Sequence, residues 1–295
     1  MTENALPFSL ALLAGALYGI SALFCKRALE TGAGTFRSLA WSNWLITLVF
    51  LPYPFLAEAP FNLAALRDGV IVGMLFFGSQ LACFLALRRG EASVTTPVLG
   101  AKSLFVAIFL VLLGFKDALP PKVWWAAGLA GGAVALLGWP GKGYRPSLPG
   151  LGLALLTAAG FGLVDALVPH YAQNSDPFHL LFVMVTVVGI CSFALVPFSE
   201  GRFAQWRGEA DKWLLLGSFP MAFQAVCMSI AIGFHDVPTE ANVFYSSRGL
   251  WSILFAAWLG SRIGTAEGAA PKAIVLRRTL GAALLLAGIW LAPPR

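Results

Sequence analysis

Charged side chains are scarce here. They make up 12% of the 295 residues, against 58% hydrophobic, whereas soluble domains run about 25% charged and about 45–50% apolar. That deficit excludes an ordinary water-soluble globule, which could not hide so much apolar surface; a lipid solvent removes the difficulty. Long polar segments are missing too. The longest loops, 57–67, 199–211 and 261–274, cannot hold a soluble domain. Cysteine is sparse: Cys25, Cys83, Cys191 and Cys227 have no CxxC spacing, lie within or at the ends of apolar runs, and read as small buried hydrophobes. His170, His179 and His235 are scattered near run ends, with no metal spacing and no nucleophile-and-base set. The expectation is a chain that is not an enzyme and needs neither metal nor cofactor. The first seven residues contain no basic n-region, and the apolar run after them continues to spanning length without a small-residue cleavage site, so it reads as a retained helix.

Apolar runs of near-spanning length occupy roughly 7–28, 36–56, 68–88, 93–114, 122–140, 149–171, 177–198, 212–234, 238–260 and 275–293, each close to the ~20 residues that cross a bilayer. The net charge of +6 and pI of about 9.4 come from Lys and Arg in the short loops, where they anchor helices. No aromatic-plus-basic surface segment marks a nucleic-acid partner; the partners implied are the lipid bilayer and a small molecule.

The chain then repeats itself. "ALLAGALYGISAL" at 11–23 aligns with "ALLTAAGFGLVDAL" at 154–167, so Gly19 meets Gly162 and Tyr18 meets Phe161. "GSQLAC" at 78–83 aligns with "AFQAVC" at 222–227, matching Gln80 with Gln224 and Cys83 with Cys227. "KSLFVAIFLVLLG" at 102–114 aligns with "RGLWSILFAAWLG" at 248–260, matching Lys102 with Arg248. Gly131 with Gly138, and Gly281 with Gly288, share one spacing and mark faces for close helix packing, in a scaffold outside any cavity. The order and near-constant offset give halves of 1–145 and 146–295. With five spans in each, an odd number, the second half starts on the opposite side of the membrane. The predicted fold is therefore all-α and integral to the membrane, ten helices as a 5+5 inverted repeat, a plan whose substrate sites lie near the midplane between repeats.

At this point the chain resembles the drug/metabolite transporter superfamily, in its EamA-like ten-helix branch. The pieces that carry the likeness are "PVLGAKSLFVAIFLVLLG" followed by "GLAGGAVALLGW", and "VFYSSRGLWSILFAAWLG" followed by "LGAALLLAGIWLA". The resemblance implies carriage of amino acids, nucleotide precursors, sugars or sugar phosphates and other metabolites, often outward. Two departures stand out. The LLGE that ends many fourth helices reads Leu113-Gly114-Phe115 and Leu259-Gly260-Ser261 here. The membrane Glu of the four-helix multidrug exporters is replaced by Tyr18 and Phe161, which argues against proton-coupled export of cationic drugs.

Lys102 and Arg248 lie at the wrong depth for loop cations. Lys102 is 13 residues from Arg89 and 12 from Gly114, and Arg248 is 12 from both Asp236 and Gly260. At about 1.5 Å per residue each sits roughly 18–20 Å from those flanking residues, near the middle of a core about 30 Å thick. A cation there costs about 2.5–3.5 kcal/mol on insertion scales and should face a cavity or a partner. One reading is a pair of cations, one per half, gripping a carboxylate or phosphate, Arg bidentately and Lys as a point charge. The plainer reading is neutralisation by internal acids, of which Asp165 is deep and Glu240 is near a mouth; one deep acid cannot neutralise two cations. Gln80, Gln224, Tyr18, Asn43 and Tyr245, with Asp165, complete the candidate substrate-binding set, and Ser42, Ser79, Asn242, Ser246 and Ser247 share their depth. Pro97, Pro169 and Pro220 are candidate kinks.

The function expected is a secondary transporter of an amino-acid-like or anionic metabolite by alternating access, multi-pass in the cell (inner) membrane, and a monomer or weak homodimer. The alternatives are an exporter of cationic or apolar compounds using Asp165, and a non-transporting membrane subunit. On orientation two arguments diverge. Four Lys and Arg fall on the side of the N-terminus and fourteen on the other, which places both termini outside the cytoplasm; the resemblance implies termini inside.

Overall fold

Runs this apolar, once in lipid, must satisfy every backbone N–H and C=O internally, and the helix does so within one segment. The computed structural model describes residues 5–89, 99, 101–117, 119–138, 148–263 and 272–291. Among them every regular element is helical: α1 (Leu6–Glu30), α2 (Thr35–Phe50), α3 (Tyr53–Leu56), α4 (Leu63–Arg89), α5 (Lys102–Leu112), α6 (Pro121–Gly138), α7 (Leu148–Ala172), α8 (Pro177–Cys191) with a 3-10 extension (Ser192–Phe198), α9 (Glu209–Gly233), α10 (Pro238–Tyr245), α11 (Arg248–Ile263) and α12 (Lys272–Leu291). Six spans among the described residues are long and apolar enough to cross a membrane: Leu6–Glu30, Thr35–Leu56, Leu63–Cys83, Leu148–Ala172, Pro177–Phe198 and Glu209–Gly233. The expected kink at Pro97 and the loop cations Lys142, Arg145 and Arg295 lie outside the described residues. Pro169 and Pro220 sit inside α7 and α9.

Three expected continuous runs are broken. The run 36–56 divides into α2 and α3 at Leu51–Pro52, where proline supplies no N–H to continue the ladder. The run 177–198 tightens into a 3-10 turn that contains Pro197. The run 238–260 divides at Ser246–Ser247, immediately before Arg248. There Ser246 Oγ bonds the Asn242 carbonyl at 2.8 Å, and the amides of Gly249 and Leu250 reach back only three residues, to Ser246 and Ser247. Side-chain competition for backbone carbonyls is the usual cost of serine inside a helix.

Turn chemistry sets the remaining joints. Gly32 and Gly34, at φ of 95° and 80°, reverse the chain between α1 and α2. Asp176 caps α8, accepting the Phe178 amide at 2.9 Å, with Pro177 in the first turn. The same carboxylate accepts the amides of Glu58 and Ala59, tying the α3–α4 loop to that cap.

Helices pack reciprocally. α1 lies along α9 and against α10 and α11, while α7 lies along α4 and against α5; α6 pairs with α12, and α2 with α8. Small residues set these distances, since lipid offers no hydrophobic drive and close backbone approach supplies the van der Waals gain. A Cβ at Gly19 would lie 2.9 Å from both Trp251 Cβ and the Ser252 nitrogen, and one at Gly162 would lie 2.7 Å from Phe105 Cβ. Gly73 of α4 meets the Met184 carbonyl of α8 in the same way, at 2.6 Å.

Gly162→Ala is expected to lower the thermal midpoint of the detergent-purified protein, because overpacking of this kind costs about 1–3 kcal/mol. Gly78→Ala should hold the wild-type midpoint, since a Cβ there meets nothing within 4 Å. Thermal unfolding of the two variants side by side checks this; equal midpoints would mean the α5–α7 contact tolerates a wider spacing.

Candidate functional site

Helices held this close still leave a substantial void among the described residues. A cavity of about 310 Å³ lies between α1, α2, α4, α5, α7, α8, α9 and the α10–α11 break, near the lower end of the ~300–1,000 Å³ usual for ligand sites. Tyr18, Asn43, Gln80, Lys102, Asp165, Gln224, Tyr245 and Arg248, the whole set nominated from the sequence, line it together. Most of the wall is apolar, with Phe76, Phe161, Leu181, Met184, Met221 and Met228 prominent. No described residue of α6 or α12 faces it; those helices pack on each other through Gly288, whose Cβ would lie 3.1 Å from the Ala126 carbonyl.

The two deep cations differ in their surroundings, which corrects the expectation of a matched pair. Lys102 Nζ lies 2.6 Å from Asp165 Oδ2. Asn242 Nδ2 donates to the same oxygen at 2.6 Å, so that atom is already doubly engaged. Arg248 has no carboxylate partner among the described residues. Its guanidinium lies 4.6 Å above the Tyr245 ring and 5.1 Å from the Tyr18 ring, and those two rings meet edge to face at 6.0 Å. Each such face attracts a cation by about 0.5–2 kcal/mol.

The reason for the asymmetry is local. Gly162 lets the α5 backbone approach, so that a Cβ there would lie 3.3 Å from the Lys102 carbonyl. Asp165 is three residues farther along α7, on the same helix face, and so meets Lys102. In the first half Gly15 and Gly19 play the corresponding part against α10 and α11, with Gly15 set to meet the Arg248 nitrogen at 3.1 Å. The residue three beyond Gly19 is Ala22, and Arg248 therefore receives no acid from α1.

The two glutamines also part company. Asn43 and Gln80 exchange two amide hydrogen bonds, Asn43 Nδ2 to Gln80 Oε1 at 2.9 Å and Gln80 Nε2 to Asn43 Oδ1 at 3.1 Å. Asn43 donates further to Ser192 Oγ at 2.9 Å. Gln224 has no such partner among the described residues, and α8, which occupies the place of α2 in the second half, carries no Asn or Gln.

One cluster escaped the sequence reading. Arg37, one of the fourteen cations on the side away from the N-terminus, is only 2% exposed. It forms a two-pronged ion pair with Asp211 of α9 and donates to the carbonyls of Phe203 at 2.8 Å and Gln205 at 3.1 Å. Asp211 also accepts the Arg207 amide at 2.7 Å, and the Arg207 side chain bonds the carbonyls of Gly32, Ala33 and Glu200. The signal available was two opposite charges, Arg37 just inside the start of one apolar run and Asp211 just ahead of another. His170 stacks flat on Phe115 at 3.8 Å, and no group of described residues could hold a metal ion.

The family model of the EamA-like transporter family matches residues 6–139. A solved crystal structure matches over 97% of this chain and 96% of its own, with a TM-score of 0.73 and 17% identity, a likeness of fold. None of the curated proteins matches the sequence. The match covers under half of the chain, and beside it stand six described spans long and apolar enough to cross a membrane.

Removing one member of a buried pair strands the other, at about 3–5 kcal/mol, whereas removing both costs far less. Lys102→Gln and Asp165→Asn should each lower the thermal midpoint, and the double variant should recover much of the loss. A double variant no better than the worse single would show that the two side chains are not coupled.

Proposed function

From the match of residues 6–139 to the EamA-like transporter family we propose that this chain is a multi-pass membrane protein of that family and a secondary transporter of a small anionic or amino-acid-like metabolite. The proposed plan is ten spans in two inverted halves, 1–145 and 146–295, rocking around the cavity between them in the cell (inner) membrane. The reciprocal packing supports it: α1 on α9, α10 and α11 is answered by α7 on α4 and α5, as exchange of two related halves requires. Substrate binding is assigned to Tyr18, Asn43, Gln80, Lys102, Asp165, Gln224, Tyr245 and Arg248, with no catalysis.

The observation that carries this reading is Arg248, a cation facing an apolar-walled cavity with two aromatic rings and, among the described residues, no acid for a partner. Such a group is costly in the membrane interior unless a function retains it. Export of organic cations on Asp165 is the weaker reading, because that carboxylate is already ion-paired with Lys102 and accepts from Asn242 at the same Oδ2.

Rocking also needs a tie that can be made and broken. Arg37 of α2 and Asp211 of α9 join the two halves through a buried, bidentate contact, the strongest class of ionic hydrogen bond. We assign to it the closure of the cavity on the side of the α1–α2 loop. Cys25, on the same stretch of α1, lines the cavity and so reports access.

Flux in proteoliposomes across amino acids, organic acids, phosphorylated metabolites and organic cations tests the function. A carboxylate- or phosphate-bearing solute should move, and Arg248→Gln should reduce its rate at least about tenfold, the worth of one charged hydrogen bond; cation flux indifferent to Arg248→Gln would sink the reading. For the closure, Arg37→Gln should speed labelling of Cys25 by an impermeant maleimide applied from the α1–α2 side, with the other three cysteines changed to serine. The charge exchange Arg37→Asp with Asp211→Arg should slow labelling again, and a rate the same in all three would remove the tie.

A further inference from the structure

The polar end of the cavity is unbalanced in charge. Three charged side chains line it among the described residues: Lys102, Asp165 and Arg248. Asp165 Oδ2 is taken by Lys102 and Asn242, each at 2.6 Å, so this pair is electrically closed. Arg248 is left with the faces of Tyr18 and Tyr245. Ring quadrupoles soften the cost of holding a cation out of water but bring no counter-charge. The pole therefore carries one unanswered positive charge.

The geometry points to a monoanion with an apolar body as the occupant: a monocarboxylate whose two oxygens take the Arg248 fork while an aryl or branched alkyl group lies on the cavity wall. This deepens the transport reading above and rests on it. The guanidinium matches a carboxylate with two parallel hydrogen bonds, and an occupant of charge −1 brings the pole to neutrality. Beyond the pole, Phe76, Phe161, Leu181, Met184, Met221 and Met228 offer aromatic and thioether surface suited to an apolar body. The volume of about 310 Å³ fits one ring or a branched chain.

The same arithmetic disfavours the neighbouring classes. A zwitterion needs an acid for its ammonium, and the one acid lining the cavity among the described residues already pairs with Lys102 and accepts from Asn242 through Oδ2; its ammonium would join Lys102 and Arg248 around a single carboxylate. A dianion would leave a negative charge in place of the positive one. An organic cation would meet only repulsion from the pole.

Four probes with one skeleton and different heads separate these cases: 3-phenylpropionate, phenylalanine, benzylmalonate and 2-phenylethylamine. Binding to the purified full chain is read by thermal shift, and uptake is read in proteoliposomes. In the wild type 3-phenylpropionate should bind and enter, with roughly tenfold or greater preference over each of the others, since a site rejects an occupant that leaves its buried polar groups mismatched. Arg248→Gln should abolish that binding. Lys102→Gln leaves one cation and one acid without an ion partner, so preference should move to phenylalanine, a gain that misfolding cannot mimic. The proposal is overturned if none of the four binds, if the wild type prefers phenylalanine or benzylmalonate, or if Lys102→Gln keeps the wild-type order. Flux of another class that still depends on Arg248 would overturn the monocarboxylate and leave the transporter; flux of every solute indifferent to Arg248 would remove the transport site itself.

Discussion

A guanidinium held near the middle of an apolar run, with aromatic faces for company and no acid of its own among the described residues, constrains everything around it. Water cannot be dismissed from such a group without compensation, so the helices near Arg248 cannot close into a dry core. They part instead around a cavity, and the backbone beside Arg248 abandons α-geometry at Ser246–Ser247. Irregular backbone at this depth is tolerated where it lines a cavity, and it does so here.

The cavity exists because other contacts are very tight. Glycines on α1, α4 and α7 bring helix backbones together until a Cβ would collide, which fixes the register of each helix against its neighbour. Fixed register decides which side chains meet. Gly162 sets α5 so that Lys102 lands opposite Asp165, and Gly15 with Gly19 set the α10–α11 break so that Arg248 lands beside Tyr18. The charged chemistry of the site is thus a consequence of packing by its smallest residues.

The features legible in the sequence were those with local or periodic causes. Apolar runs bounded by Gly, Pro and charge located the helices, and matched words such as "GSQLAC" and "AFQAVC" located residues that now share one cavity wall. Pairings across the fold were not legible. Arg37 and Asp211 are 174 residues apart, and nothing local distinguishes Arg37 from the loop cations that anchor helices. Periodicity likewise ran straight through Ser246 and Ser247, because a 3-10 step of a few residues leaves the apolar stripe intact. The uneven fate of Lys102 and Arg248 was in principle readable, since alignment of the halves sets Asp165 against Ala22, but its meaning depends on knowing that both positions face the same site.

That last difference bears on how a duplicated scaffold acquires a specific site. Two identical halves would present the cavity with two equivalent poles, each repeating the charge of the other. Here the scaffold positions are matched, Gly19 with Gly162 and Gln80 with Gln224, while the positions that set polarity differ. Asp165 answers Ala22, Arg248 answers Lys102, and Asn43 has no amide opposite it on α8. The result is one closed ion pair, one closed amide pair and, among the described residues, one guanidinium and one glutamine left open to the cavity. In the proposed transport cycle, symmetry in the packing residues would let the halves exchange roles, and asymmetry in the polar residues would give an occupant a single orientation. A carrier needs both, because an occupant able to bind either way round would gain nothing from a pole that carries charge at one end only.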